Sequence, residues 1–229
     1  MKMKLFSFAA AVLLIFPLAA QSQSNDSTMV FTSPNPEMLE IHKSNTIHAW
    51  GVDIMLSNNG FGLAGFYRRQ FDRELSGLIS FGIAESKDDN EVEYVDYWGQ
   101  VIVPGKINRF LLIPLTFGIQ QRLFADDIMD SFRPYVNAGV GPTLILSSPF
   151  NKEFFTSLKY ARSHYTAGGY IGFGAYFGSV EGAIAGLNIR YYWIPVRGGI
   201  ESMYNEDLSI RKKSEFGGFF ITLNLGSAF

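Results

Sequence analysis

Cysteine is missing from the chain altogether. Its absence excludes disulfides, which an oxidising compartment would otherwise permit, and excludes an N-terminal cysteine that could carry lipid. Charge is sparse as well. Charged residues make up 17% of the sequence, and 19 Lys and Arg stand against 21 Asp and Glu, a formal charge of −2. That balance has no basic excess for binding nucleic acid, so no nucleic-acid partner is expected. Beyond residue 20, Gly and charged residues interrupt every apolar stretch, which leaves no candidate for a membrane-spanning helix. Neither the three histidines nor the carboxylates form a metal cluster or carboxylate dyad above chance, and no cofactor is expected.

What remains abundant is aromatic and small. Aromatic residues reach 15%, and there are 23 glycines. The amino terminus reads as a secretory signal peptide over residues 1–20. Lys2 and Lys4 are followed by the apolar run Leu5 to Leu18 and the small residues Ala19-Ala20. Residues 21–45, polar and holding Pro34 and Pro36, read as a periplasmic lead-in without a strand of the main domain; a strand at Thr28 to Thr32 is only weakly signalled.

From residue 46 to the end the chain reads as one all-β domain with period-two alternation. The last segment shows it best. Phe219, Ile221, Leu223 and Leu225 fall on one face, Phe220, Thr222, Asn224 and Gly226 on the other, and Phe229 extends the apolar face. Seven earlier segments repeat the pattern: Ile47 to Leu56, Phe61 to Phe71, Ser76 to Glu85, Asn108 to Phe124, Phe132 to Leu146, Tyr165 to Phe177, and Ala183 to Pro195. Ser57-Asn58-Asn59-Gly60 is a tight-turn signal. Connections after the second, fourth and sixth segments are short. Those after the third, fifth and seventh are long: the charged stretch Ser86 to Ile107, the loop Ser147 to His164, and the loop Val196 to Lys213. Within the first of these, Glu93 to Val103 reads as an extension of a hairpin.

One greasy face and one polar, glycine-dotted face on every strand also suit a soluble sandwich. The alternation of short and long connections favours instead an eight-stranded antiparallel up-and-down transmembrane barrel with both termini periplasmic. Ten strands remain an alternative.

Leu112-Ile113-Pro114-Leu115 and Arg133-Pro134-Tyr135-Val136-Asn137-Ala138-Gly139-Val140-Gly141-Pro142 resemble the outer-membrane β-barrel domain family of small OmpA- and OmpX-type proteins. Gly172-Phe173-Gly174 and Gly186 to Tyr192 are similar to its later strands. The resemblance implies an outer-membrane location and a structural or surface-interaction role, with outer-membrane lipid, the barrel assembly machinery and an unidentified extracellular ligand or protein as partners. It implies no catalysis. A narrow channel or small-ligand transporter is the alternative, and a lipid A-modifying barrel enzyme a third. Phe219, Ile221, Leu223, Leu225 and Phe229 match the family's terminal assembly signal.

The polar faces nominate a lumen network of Asp53, Arg68, Gln120, Arg122, Arg133, Asn137 and Arg190, with Arg133 expected to find a carboxylate such as Asp53. Trp50, Tyr67, Tyr191, Tyr192 and Trp193 read as interfacial aromatics. Ser163 and His164 are adjacent and point to opposite faces of a regular strand, so they cannot form a nucleophile–base pair. Glu93 to Trp98 and Phe150 to Phe155 set aromatics among charges, as a recognition surface does.

Overall fold

Alternation of large apolar with small or polar side chains puts the two sets on opposite faces of a strand, and eight such segments here close into one barrel. The computed structural model describes residues 48–95, 97–99, 101–125, 128, 131–178, 182–205 and 207–229. The expected signal peptide and lead-in lie outside the described residues. In chain order the strands are β1 (His48–Ser57), β2 (Gly60–Gln70), β3 (Leu75–Ser86), β4 (Tyr94–Val95), β5 (Val101–Ile102), β6 (Asn108–Arg122), β7 (Phe132–Pro149), β8 (Arg162–Phe177), β9 (Gly182–Trp193), β10 (Pro195–Tyr204), β11 (Ile210–Glu215) and β12 (Gly218–Ala228). One short helix, α1 (Phe154–Leu158), lies between β7 and β8.

The barrel runs β1-β2-β3-β6-β7-β8-β9-β12 and closes β12 against β1. Every neighbouring pair is antiparallel, and the closing register extends from Ala49↔Ala228 to Leu56↔Ile221. His48 and Phe229 exchange backbone hydrogen bonds of 3.1 and 2.9 Å. The start of β1 and the end of β12 therefore share one end of the barrel with the ends of β2, β6 and β8. The opposite, long-loop end carries the tight turn at 58–59 and the segments 87–107, 150–161 and 194–217.

Two prolines interrupt the ladder. Pairing of β3 with β6 skips from Phe81↔Leu115 to Ala84↔Leu112, and that of β6 with β7 from Pro114↔Thr143 to Phe117↔Val140. Pro114 and Pro142 offer no N–H at these rungs. Beside them Gly141 admits no side chain, because a Cβ there would lie 1.9 Å from the Leu115 carbonyl oxygen.

Three details differ from the sequence expectation. β4 and β5 form their own two-stranded sheet and do not lengthen β3 or β6. β7 and β8 run past the expected loop start, so that Ser147 pairs with Arg162 and His164 lies within β8. The stretch Val196 to Lys213 is largely the hairpin β10–β11, not a loop. Its pattern is hidden by Gly198 and Gly199, whose φ of 82° and 65° take the left-handed conformation that reads as a turn.

The outward face is apolar on all eight strands. Val52, Leu63, Phe81, Phe117, Val140, Phe173, Ile189 and Leu223 are all exposed. No helix among the described residues is long and apolar enough to cross a membrane. A cation on a lipid-facing strand near mid-bilayer costs about 2–4 kcal/mol. Leu223→Arg is therefore expected to lower stability by that amount on urea titration in lipid vesicles, whereas Leu223→Phe is neutral. The unboiled wild type is expected to migrate on a gel differently from the boiled form, because a closed barrel leaves no free edge at which to unravel.

Candidate functional site: the barrel lumen and its mouth

The inward face of an eight-stranded barrel is just wide enough for its own side chains to fill. Asp53 on β1 and Arg190 on β9 meet at its centre. Arg190 Nη1 donates to Asp53 Oδ2 at 2.8 Å, with side-chain exposures of 2% and 0%. The Asn224 amide donates to the other Asp53 oxygen. Asn188, with its amide turned toward the guanidinium, accepts from Arg190 Nη2 at 3.1 Å and from Tyr135 Oη at 3.0 Å. Tyr135 stacks on Tyr176 at 4.6 Å between centroids, and Tyr176 Oη donates to Gln120 at 3.2 Å. Arg190 also lies over the Tyr170 ring, 5.3 Å from its centroid. A single ion pair is thus tied on both sides by amides and phenols.

All seven residues nominated for the lumen sit on inward positions. Gln120, Arg133 and Asn137 are buried like the central pair, Arg122 is half-buried, and Arg68 covers the Tyr176 ring at 4.6 Å. The expected Arg133–Asp53 pair does not form, because Asp53 is occupied by Arg190 and Asn224. Tyr135, Tyr176, Asn188 and Asn224 complete the network. Their period-two phase was visible in sequence, yet only uncharged groups marked it. Tyr192 is a correction of another kind. It alternates with Tyr191 and Trp193, so it points inward, buried against Tyr170 and Phe220. Trp50, Tyr67, Tyr191 and Trp193 do face outward.

Above the polar layer, toward the long loops, the lumen becomes apolar. Met55, Phe66, Phe110, Leu112, Ile145, Tyr192 and Phe220 pack with Ile194, Ile200 and Phe216 from the 194–217 segment. Phe110 and Phe216 meet edge to face at 4.9 Å. The β10–β11 hairpin is held over the mouth by Ile107 N–H to Ser202 O at 2.9 Å and Tyr204 N–H to Gly105 O at 2.8 Å. Lys213 Nζ donates to Lys87 O at 2.6 Å, and Lys106 pairs with Glu91 at 2.6 Å in a buried bridge. Lys87 and Glu93 form a second, more exposed pair at 2.6 Å. Their hydrogen bond raises the Lys87 pKa above its ordinary value and lowers that of Glu93.

The enzyme alternative has one new geometry to answer. His164 faces inward, and its Nε2 lies 3.2 Å from Ser147 Oγ across β7 and β8. Among the described residues no carboxylate bonds the His164 ring, whereas a triad orients its imidazole with one. Among those residues no group of His, Asp and Glu could hold a metal ion. His48 instead bonds Tyr67 Oη through Nδ1 at 2.6 Å and stacks on Phe229 at the terminal end.

No protein-family model matches the chain, and no curated protein matches its sequence. Solved structures that it is similar to include Neisserial surface protein A, at 9% identity and a TM-score of 0.49 over 80% of this chain and 95% of that one. Ail, the attachment invasion locus protein of Yersinia pestis, matches at 15% identity and 0.43 over 80% and 96%. The N-terminal β-barrel domain of Pseudomonas aeruginosa OprF matches at 12% and 0.41 over 80% and 98%. The fold assignment itself rests on the closed ladder of eight strands.

Removing one partner of a buried ion pair commonly costs about 3–5 kcal/mol, since the other charge is left uncompensated. Arg190→Leu is expected to lose that much on urea unfolding in detergent, and adding Asp53→Leu is expected to restore part of the loss. If the double variant is no more stable than Arg190→Leu, the two residues do not act as a pair.

Proposed function

We propose that the protein is an outer-membrane barrel with a sealed lumen, whose long-loop end is displayed at the cell surface as an interaction surface. The observation that carries this reading is the inversion of the usual burial pattern. Large apolar side chains are exposed around the outside of every strand, while Asp53, Arg190, Asn188, Asn224 and Thr222 are buried inside. In water such an exposed belt would drive aggregation; in a bilayer it is the favourable arrangement.

The outward aromatics support the depth of insertion. Trp50 and Tyr67 are cross-strand partners near the terminal end, and Tyr191 and Phe219 are partners near the other. Phe219 and Ser227, the latter opposite Trp50, lie eight residues apart on β12. At roughly 3.4 Å per residue and a strand tilt of about 40° this is about 20 Å along the barrel axis. Rings extending beyond both levels match an apolar band of about 25 Å flanked by aromatic girdles.

The channel alternative fares worse on the same observations. The lumen is crossed by a bonded polar layer and then by an apolar plug, onto which Ile194, Ile200 and Phe216 pack. Nor does the Ser147–His164 pair support catalysis, since no acid among the described residues orients it. What the long-loop end offers is exposed aromatic area. Tyr97 and Trp98 are 95% and 81% exposed and meet edge to face at 5.6 Å. Trp and Tyr are the side chains that most often anchor protein contacts.

Two measurements on the purified and the cell-borne protein test the reading. In planar bilayers the protein is expected to show no discrete conductance steps; steady opening would favour the channel. Because the chain has no cysteine, Lys159→Cys on the long-loop end and Arg73→Cys on the other can be labelled singly with a membrane-impermeant maleimide. Lys159→Cys is expected to react on intact cells and Arg73→Cys only after lysis. The reverse pattern would overturn the proposed orientation.

A further inference from the structure

At the long-loop end β12 outruns β1. Their last pair is Leu56↔Ile221, whereas β12 pairs with β9 from Gly218↔Tyr192 onward. Gly218, Phe219 and Phe220 therefore have a strand on one side only, and the β1–β2 turn stops short beside them. The notch left in the barrel wall is a cavity of about 280 Å³. Its lower wall is the outward ring pair Tyr191 and Phe219, 4.8 Å apart at their centroids. These rings continue the apolar belt below.

The upper wall carries two carboxylates, Asp89 and Glu215. Each is anchored through one oxygen. Glu215 Oε1 accepts from the backbone N–H groups of Ile194 at 2.8 Å and Gly217 at 3.0 Å. Asp89 Oδ1 accepts from Asn59 Nδ2 at 3.1 Å, and Lys213 Nζ approaches the same oxygen at 3.6 Å. The second oxygen of each carboxylate takes no hydrogen bond among the described residues. Lys213 offsets one of the two charges, and the other is left to the notch. Gly218 keeps the space open. Its φ of 142° suits glycine, and a Cβ there would reach Asn59 Nδ2 on the cavity rim at 3.4 Å.

Rings below and carboxylates above select a cation with an apolar body: the ring faces attract an ammonium, and the free carboxylate oxygens accept its hydrogen bonds. The open edge of β12 adds backbone groups for further polar atoms of the ligand. The notch sits where the apolar belt meets the charged loops, so on the membrane reading above, on which this inference rests, the ligand arrives from the lipid side. The geometry points to a lateral binding site for an amine-bearing lipid headgroup. Its ammonium sits between Asp89 and Glu215, and its chain runs down over Tyr191 and Phe219. The volume lies just below the roughly 300–1,000 Å³ of drug-sized pockets, enough for a headgroup and not for a whole lipid. An anionic headgroup without an amine faces the two carboxylates, of which Lys213 neutralises only one.

The test uses the full protein refolded in dodecyl maltoside micelles. Lysophosphatidylethanolamine and lysophosphatidylglycerol of the same acyl chain are titrated separately, and retained lipid is counted by native mass spectrometry. The ethanolamine lipid is expected to be retained at roughly tenfold lower concentration. Asp89→Asn with Glu215→Gln is expected to abolish that difference while leaving the boiled and unboiled gel mobilities distinct. Asn and Gln keep an oxygen for the anchoring bonds, so the double variant retains the local fold. Phe219→Leu, an apolar exchange on the outer face, serves as a second variant and is expected to weaken ethanolamine retention several-fold. Equal retention of the two lipids by the wild type, or a preference that survives in both variants, overturns the site. A wild type that never gives a heat-modifiable form contradicts the membrane reading instead, so the two failures are told apart.

Discussion

Closure of β12 on β1 is the constraint on which the rest of the structure depends. In hydrocarbon no water is available to an unpaired N–H or C=O, so a sheet can lie there only without edges. The seam from Ala49↔Ala228 to Leu56↔Ile221 removes the two edges that an open eight-stranded sheet would have. Because side chains alternate, the same register fixes which residues meet lipid and which meet the lumen. Slipping the seam by one residue would turn Leu223 and Leu225 inward and Thr222 and Asn224 outward.

Closing only eight strands has a second consequence: the interior is narrow, and whatever points inward must pack with its opposite wall. The Arg190–Asp53 pair is possible because Asn188, Asn224 and Tyr192 take up its remaining bonds, with Tyr135 bonded in turn to the two amides. Left alone, either charge would be costly in such a site. Toward the long-loop end the same narrowness lets Ile194, Ile200 and Phe216 pack onto aromatic residues already there. At the β1–β12 mismatch the belt, the carboxylates and an open strand edge meet.

The barrel strands were legible because period two survives in each of them, in Ile79-Ser80-Phe81-Gly82-Ile83 as plainly as in the final strand. Inward placement of Asp53, Arg68, Arg133 and Arg190 followed from the same phase. Their pairing did not. Asp53 and Arg190 stand 137 positions apart, and their contact depends on the shear of a closed sheet, which no local pattern encodes. Tyr192 was misread because three aromatics in a row resemble a girdle; strict alternation sends the middle one inward. The β10–β11 hairpin was obscured by paired glycines, and the rim notch by the fact that it arises from a difference in strand length.

Which face of the barrel strands meets lipid can be measured position by position. A chain without native cysteine allows nitroxide labels to be placed singly from position 218 to 226 in bilayer-reconstituted protein. Collision rates with oxygen, which concentrates in lipid, and with a water-soluble nickel chelate report the surroundings of each. The predicted result is a period of two, with oxygen access highest at Phe219, Ile221, Leu223 and Leu225 and low at the positions between them. An absence of alternation, or nickel access dominating at Leu223, would contradict the lipid-facing barrel.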